Sequence, residues 1–352
     1  MKSAAGALAL LLLSTSPRAP ALADSAAAGD ASGQKPAAPA PSLDPASPVA
    51  VPEPRPQPSG ALPFLGDLAA RAGVTLPLPL GLTLIGLAQG EDILSRQLQV
   101  GLGGGPLVPL DFAEFESVRT RVQNVLLRGD AWVFPFLDLY VVAGGTWEQT
   151  KTVLTRPLKL DFQTDAHGLT VGFGGTLAWG IEKIGFLTLD ANLSWTDLDI
   201  LSQPQRTFTL APRAGHRFVS QTRPDRALTV WVGTIFEEFE GHVIGSVPLG
   251  NSVPPNVLAI LPADYGDWLN TLTPGQRVNV TAVLDQLIKA TTGPNGAAAR
   301  ADFDLVIKPR HSNTLLIGGE LQLDQQWQLH AEGGLLGSRT SAHAGVTYRF
   351  GL

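Results

Sequence analysis

His330 and Glu332 stand two residues apart, and a second imidazole, His343, follows in the same stretch of chain. An imidazole held by a carboxylate is a common general base, provided a nucleophile lies within hydrogen-bond reach. Period-two spacing puts His330 and Glu332 on one side of a strand, which makes them the chain's weak catalytic candidates. Serines such as Ser194 and Ser341 are present, yet no linear motif marks a Ser-His-acid set. Metal chemistry has less to stand on. The six histidines, at 167, 216, 242, 311, 330 and 343, include no His-x3-His pair, and cysteine is absent, so the usual zinc ligand spacings are missing. Neither a metal nor a cofactor is expected. "GLGGGP" (101–106) has the glycines of a phosphate loop but lacks the Lys-Ser/Thr and has a proline where the helix should begin; it reads as a flexible loop. "RGD" (128–130) falls inside a predicted strand, where its side chains alternate faces, which argues against an adhesive role.

The elements that must position these residues repeat with period two. Leu169, Val171, Phe173, Leu177, Trp179 and Ile181 share one face, opposite Thr170, Gly172, Gly174, Thr176 and Gly180. The pattern recurs in 185–197, 206–218, 227–238, 313–323, 327–337 and 341–352, and more weakly in about 80–89, 117–131 and 138–150. That makes ten strands. A further hairpin from 241–248 and 302–308 would make twelve. By the same parity Arg128, Asp130, Glu148, Asp190, Arg213, Arg217, Glu237, Glu320, His330, Glu332, His343 and Arg349 face one interior. Buried charges require partners, so the set predicts a salt-bridge and hydrogen-bond network. A polar pathway for a small solute, or a binding site at the mouth, is the functional alternative.

Whether the apolar faces meet a protein core or lipid decides the function class. The chain opens with Lys2, an apolar stretch from about Ala4 to Leu13 and a small-x-small site at Ala21-Leu22-Ala23, the pattern of a signal peptide over residues 1–23. Of the 25 basic residues, Lys2 and Arg18 precede the cleavage point; 23 then face 31 acidic ones. An acidic chain without a basic patch argues against nucleic-acid partners. Residues 24–61 are Pro- and Ala-rich and cannot bury enough apolar surface to order themselves. They read as a disordered periplasmic linker, with cell-wall contact as an alternative use. "PFLGDLAARAG" (63–73) predicts one short helix ending at Gly73.

Only 16% of residues are charged and 44% are hydrophobic, with no later apolar run long enough for a membrane helix. A closed antiparallel transmembrane β-barrel spreads its apolar residues over alternate positions in this way. With the last strand ending in the periplasm, the inner turns come out short, while the outer connections fall at 90–116, 151–168, 198–205, 239–312 and 338–340, the longest at 239–312, an asymmetry found in bacterial outer-membrane barrels. A soluble β-sandwich would carry many Lys and Glu on its polar faces. Here those faces are rich in Gly, Thr, Ser and Asn. Trp147, Trp179, Trp195, Phe218, Trp327, Tyr348 and Phe350 sit toward strand ends, where an aromatic girdle belongs.

The 239–312 loop has structure of its own. Thr273-Pro274-Gly275-Gln276 is a capping box. Val280, Val283, Leu284, Leu287 and Ile288 then recur at helical spacing, and Gly293-Pro294 ends the helix. "ADYGDWLNTL" (263–272) predicts another short amphipathic turn. These apolar faces must be buried, either as a lid or plug at the barrel mouth or on the lipid surface.

"H-A-G-V-T-Y-R-F" (343–350) resembles the insertion signal read by the barrel assembly machinery, with His343, Gly345, Tyr348 and Phe350 in its places. The family pattern ends on the aromatic, whereas Gly351 and Leu352 follow here. "LPLPLGLTLIGLAQGEDI", "LRGDAWVFPFLDLYVVAGGT" and "SWTDLDIL" are similar to segments of a family of uncharacterised bacterial outer-membrane β-barrel proteins, from about residue 62 to the end. The resemblance implies location in the outer membrane of a Gram-negative envelope and contact with its lipid, and it lends no catalytic residues. The function read from all of this is a porin-like barrel with a structural or envelope role, or limited solute passage gated by the long loop. An outer-membrane lipid or peptide hydrolase is the second class, and a surface-binding or adhesive barrel the third.

Overall fold

The computed structural model describes residues 60–181, 185–239, 241–249, 256–292, 299–309, 313–336 and 339–351. The predicted signal peptide and nearly all of the linker lie outside them, as do His311 and the predicted helix stop at Gly293-Pro294. In chain order the described elements are α1 (Gly66–Arg71), β1 (Leu80–Leu102), β2 (Val108–Pro109), β3 (Glu114–Phe134), β4 (Leu137–Arg156), β5 (Leu160–Ile181), β6 (Gly185–Leu198), β7 (Gln205–Val219), β8 (Ala227–Phe239), β9 (His242–Pro248), a 3-10 turn (Val257–Ile260), α2 (Tyr265–Thr271), α3 (Pro274–Thr292), β10 (Arg300–Pro309), β11 (Asn313–Gln322), β12 (Trp327–Leu335) and β13 (Arg339–Phe350).

Ten of these strands form a closed antiparallel barrel, in the order β1, β3 to β8, then β11 to β13 and back to β1. The seam pairs Leu80 with Phe350 and continues to Glu91 with Arg339, while the other edge of the same segment pairs with β3, from Leu80 with Ala131 to Asp92 with Arg119. Closure leaves this ring no free edge. It also lets the alternation sort the side chains. Leu84, Val141, Leu169, Val171, Phe173, Val232 and Ile317 are exposed on the outside, Leu169 to 66%. Thr83, Asp130, Asp138, Glu332, Thr347 and Arg349 are buried inside. A soluble monomer rarely exposes so continuous an apolar surface; the arrangement is that of a barrel with an apolar exterior and a polar lumen.

The first and last strand ends meet at one end of the barrel, here the near end. The predicted twelve-strand variant takes a different form. β9 and β10 do pair, from Val306 with His242 to Arg300 with Pro248, but outside the ten-strand ring. β10 docks on the distal half of β1, Ile93 to Leu102, beyond the point where β13 ends. β9 in turn reaches the β6–β7 connection through Ser202 N–H to Ile244 O at 2.9 Å and Ser246 N–H to Ile200 O at 2.9 Å. The spans expected to be loops at 90–116 and 151–168 are largely strand, so the wall projects past the ring at the far end. A bulge between Arg96 and Gln99, with Gln97 at φ 52, accompanies the change of partner on β1.

The short helix predicted over 63–73 is α1, at the near end. Phe64 donates its N–H to Val133 O at 2.8 Å, and its ring lies 5.9 Å from that of Phe134, which stacks on Phe136. Gly73 adopts φ 81 just past the helix, as a C-terminal cap requires.

One close approach fixes the wall where β4 meets β5. A Cβ on Gly174 would stand 2.5 Å from both the Tyr140 hydroxyl and Ala191 O, whereas one on Gly86 would meet nothing within 4 Å. Gly174→Ala is expected to destabilise the barrel by about 1–3 kcal/mol, and Gly86→Ala to leave the guanidinium unfolding midpoint unchanged. Equal midpoints for both variants would refute this packing.

Candidate functional site

The polar lumen and the structure above it form the candidate site. Near the near end, Arg349 links Asp130 (3.1 Å) to Gln328 (2.9 Å), and Arg128 meets Asp138 at 2.6 Å while lying 3.7 Å over the Tyr140 ring. Tyr140 donates its hydroxyl to Asp190 at 3.0 Å, and Thr176 does the same at 2.8 Å. A second group spans the lumen. Arg213 on β7 makes a two-pronged pair with Glu332 on β12, at 2.7 and 3.0 Å, and the Trp231 indole N–H donates to the same carboxylate at 2.5 Å. Further along, Arg339 pairs with Glu237 and donates to Gln89 at 2.7 Å. Two-pronged and charge-assisted bonds are the strong ones, and those from β7 to β12 and from β13 to β8 tie together strands that are not neighbours.

The remaining lumen candidates are placed as follows. His343 Nδ1 is 3.8 Å from Glu332, and its ring stands edge-on to His330 at 5.6 Å. Glu332 is engaged by Arg213 and Trp231 rather than orienting His330, and neither histidine hydrogen-bonds a serine among the described residues. Arg217 sits at the near mouth and donates to Gln322 at 2.7 Å. Glu320 faces inward on β11, and Glu148 accepts a hydrogen bond from Thr150 at 3.1 Å. Threonines complete the lining, with Thr146, Thr170 and Thr196 linked hydroxyl to hydroxyl at 2.6 and 2.8 Å across β4, β5 and β6.

Sequence reasoning missed the interior ionisable and aromatic groups Glu91, Asp138, Tyr140, Trp231 and Arg339, as well as the amides Gln89 and Gln328. Four of the first five carried a usable signal. Asp138 and Tyr140 share the parity of Glu148, Trp231 shares that of Glu237, and Arg339 falls in register once β13 is extended by two residues toward its start. Glu91 fell in a stretch read as loop.

Above this polar section the interior changes character. The Thr273 capping box forms, with Gln276 N–H donating to Thr273 Oγ1 at 3.3 Å and Thr273 N–H to Gln276 Oε1 at 3.0 Å. α3 then buries Val283 and Leu287 against Leu102, Val108, Leu158 and Ala301 at the ends of the projecting wall and against Val257 of the 3-10 turn. Val280, 0% exposed, packs with Phe112 and with Trp268 of α2. The predicted apolar faces are therefore buried against the wall at the far end, and the 256–292 segment that carries them is called the lid. The glycine loop is held beneath it rather than loose. Gln286 accepts Leu102 N–H at 2.8 Å and donates to Pro106 O at 3.1 Å, and Gly103 and Gly104 turn with φ 60 and 80. Arg156, at the end of β4, grips Asp264 just before α2 with two hydrogen bonds and lies 5.7 Å over the Trp268 ring. That hydrogen bond from Arg156 holds the Asp264 carboxyl below the usual carboxylate range.

No family model matches the sequence, and no curated protein does. Among solved structures, the β domain of the Bordetella autotransporter BrkA aligns at 11% identity over 77% of this chain and 100% of that one, with a TM-score of 0.36. The transport unit of the autotransporter AIDA-I from Escherichia coli aligns at 12% identity over 77% and 90%, TM-score 0.34. The translocator domain of NalP from Neisseria meningitidis aligns at 9% identity over 80% and 92%, TM-score 0.33. Likeness of this size adds no argument, and the architecture rests on strand register.

Two outcomes follow from the geometry. Arg213→Ala removes the guanidinium and leaves the Glu332 carboxyl buried without its main partner, which should cost about 3–5 kcal/mol, whereas Arg213→Met combined with Glu332→Met should recover much of that loss; denaturant unfolding of the three proteins decides. For the lid, an aspartate whose value is depressed on folding stabilises above its unfolded value of about 3.9 and loses that contribution as pH falls through the folded one. Backbone hydrogen exchange in α2, corrected for intrinsic rate, should therefore be slow at pH 5.5 and faster at pH 3. Arg156→Ala should abolish the difference.

Proposed function

We propose that the chain is an integral outer-membrane β-barrel that is sealed at rest and passes small polar solutes only when its lid is displaced. In this reading residues 1–23 export it and 24–61 form the periplasmic linker. The near end with α1 faces the periplasm, and the lid faces outward. His343, Gly345, Tyr348 and Phe350 serve as the address for the barrel assembly machinery. The apolar exterior supports the membrane placement, since lipid is the solvent in which such a wall costs nothing to expose.

The observation that carries the sealed state is the lid's own apolar core, set on the far rim by Val283 and Leu287 and latched by Arg156 and Asp264. Below it the lumen is lined mainly by charged side chains and threonines, the lining expected of a path for hydrated solutes rather than apolar ones. The charge pairs that cross it favour a narrow path over an open pore, in keeping with the small interior of a barrel of this strand number.

The geometry offers a clean test. Leu249 N–H bonds Ala299 O at 2.8 Å, so the two ends of the lid segment already touch at the tip of the β9–β10 hairpin. Replacing 250–298 with a tight two-residue turn removes the lid and keeps the hairpin. In planar bilayers the full chain should be silent and the lidless chain should show small openings. Steady conductance in the full chain contradicts a seal; silence in both forms rejects gating and leaves a purely structural envelope role.

A further inference from the structure

The outward face of β3, β4 and β5 changes chemistry abruptly. On the row Val125, Gly145, Leu169 the exterior is apolar or bare. On the next row toward the far end stand Gln123, Trp147 and His167, and on the one after it Arg121, Gln149 and Asp165. These six side chains line a half-open groove of about 500 Å³. Trp147 is 50% exposed and leans back toward the apolar belt, since a Cβ on Gly145 would lie 2.9 Å from its ring.

The polar groups in the groove are not equivalent. The Asp165 carboxylate accepts from Gln149 at 3.1 Å and from Gln163 at 3.0 Å, and His167 is tied to Asp199 at 2.9 Å. Arg121 has no partner among the described residues and is exposed. One row further out, Lys151 is exposed diagonally across from it, at the roughly 7–8 Å that long side chains can bridge. An unpaired guanidinium beside a second cation suits a phosphate. An indole face flanked by amides and a carboxylate suits a sugar, whose C–H face stacks while its hydroxyls both donate and accept.

The groove's height selects the source of such a ligand. It begins where the apolar belt ends, at the level where an interfacial tryptophan marks the headgroup region. Acyl chains of a lipid seated there would run down over Val125, Leu169 and Val171. We infer that this groove binds the phosphorylated glucosamine headgroup of a glycolipid of the outer leaflet, with Arg121 on the phosphate and Trp147 under the sugar ring. The inference rests on the membrane placement proposed above and adds a specific lipid site to it.

The test uses the full chain, refolded in detergent micelles, with bound lipid counted by native mass spectrometry. The probes are bis-phosphorylated lipid A, the same lipid stripped of phosphate, phosphatidylethanolamine, and inorganic phosphate as competitor. One lipid A should be retained per chain. Arg121→Ala and Trp147→Ala should each weaken retention about tenfold or more, as expected for loss of one charge-assisted or stacking contact, while Arg223→Ala at the near end should not. The phosphate-free lipid should bind weakly and be insensitive to Arg121→Ala. Unchanged retention in Arg121→Ala overturns the proposal. So does phosphatidylethanolamine binding as tightly with the same dependence on Arg121, or full displacement by inorganic phosphate, which would make the groove a site for zwitterionic lipid or free phosphate instead. Cell fractionation separates this from the membrane reading: a chain absent from the outer membrane sinks both, and one present there without bound glycolipid sinks only the groove.

Discussion

The pairing of β1 with β13 is the constraint on which the rest depends. A wall facing an apolar solvent must satisfy every backbone donor and acceptor within itself, because nothing outside will do so. The seam from Leu80 with Phe350 to Glu91 with Arg339 meets that condition for the ten-strand ring. Once the ring is closed, the period-two alternation has only two destinations. Leucines, valines and aromatics go outward, and the ionisable residues go inward, where they must find one another.

That second demand explains the lumen. Arg213, Glu332 and Trp231 come from β7, β12 and β8, and Asp130, Arg349 and Gln328 from β3, β13 and β12. These contacts act across the barrel as the backbone ladder acts around it. Where β6 to β8 and β11 to β13 end, β1, β3, β4 and β5 project further and the filling changes from charge pairs to the apolar core of α2 and α3. The lid is thus a small folded unit that completes the far end of the wall. Its capping box starts α3, and the Gln286 bonds to Leu102 and Pro106 tie α3 to the end of β1 and the glycine loop.

Alternation makes the ring legible in the sequence. A pattern such as Leu169, Val171, Phe173 against Thr170, Gly172, Gly174 admits one face assignment, and ten such segments of even parity close naturally. The lid helix was equally readable, because Thr273, Gln276 and the 280–288 spacing are local signals. What sequence could not supply was pairing between distant segments. β9 and β10 alternate like barrel strands, and only the geometry places β10 on the distal half of β1, with β9 beyond it, instead of in the ring. The same holds for Arg156 with Asp264, since nothing in either neighbourhood names the other. Strand ends were also hidden: the polar residues of 90–102 and 151–168 read as loop because alternation is invisible where both faces are wet or half-buried.

The proposed function requires that one wall separate lipid from a filled, closed lumen. Because the chain has no cysteine, single thiols at Val141, Val142 and Ala143 of β4 can each carry a nitroxide in bilayer-reconstituted protein. Power-saturation measurements with molecular oxygen and a water-soluble nickel chelate then report the solvent on each face. The account predicts that labels at 141 and 143 are accessible to oxygen and shielded from nickel, and that the label at 142 is shielded from both. Nickel accessibility at 142 equal to that of an exposed loop would show an open aqueous channel, and nickel accessibility at 141 and 143 would show that the exterior faces water.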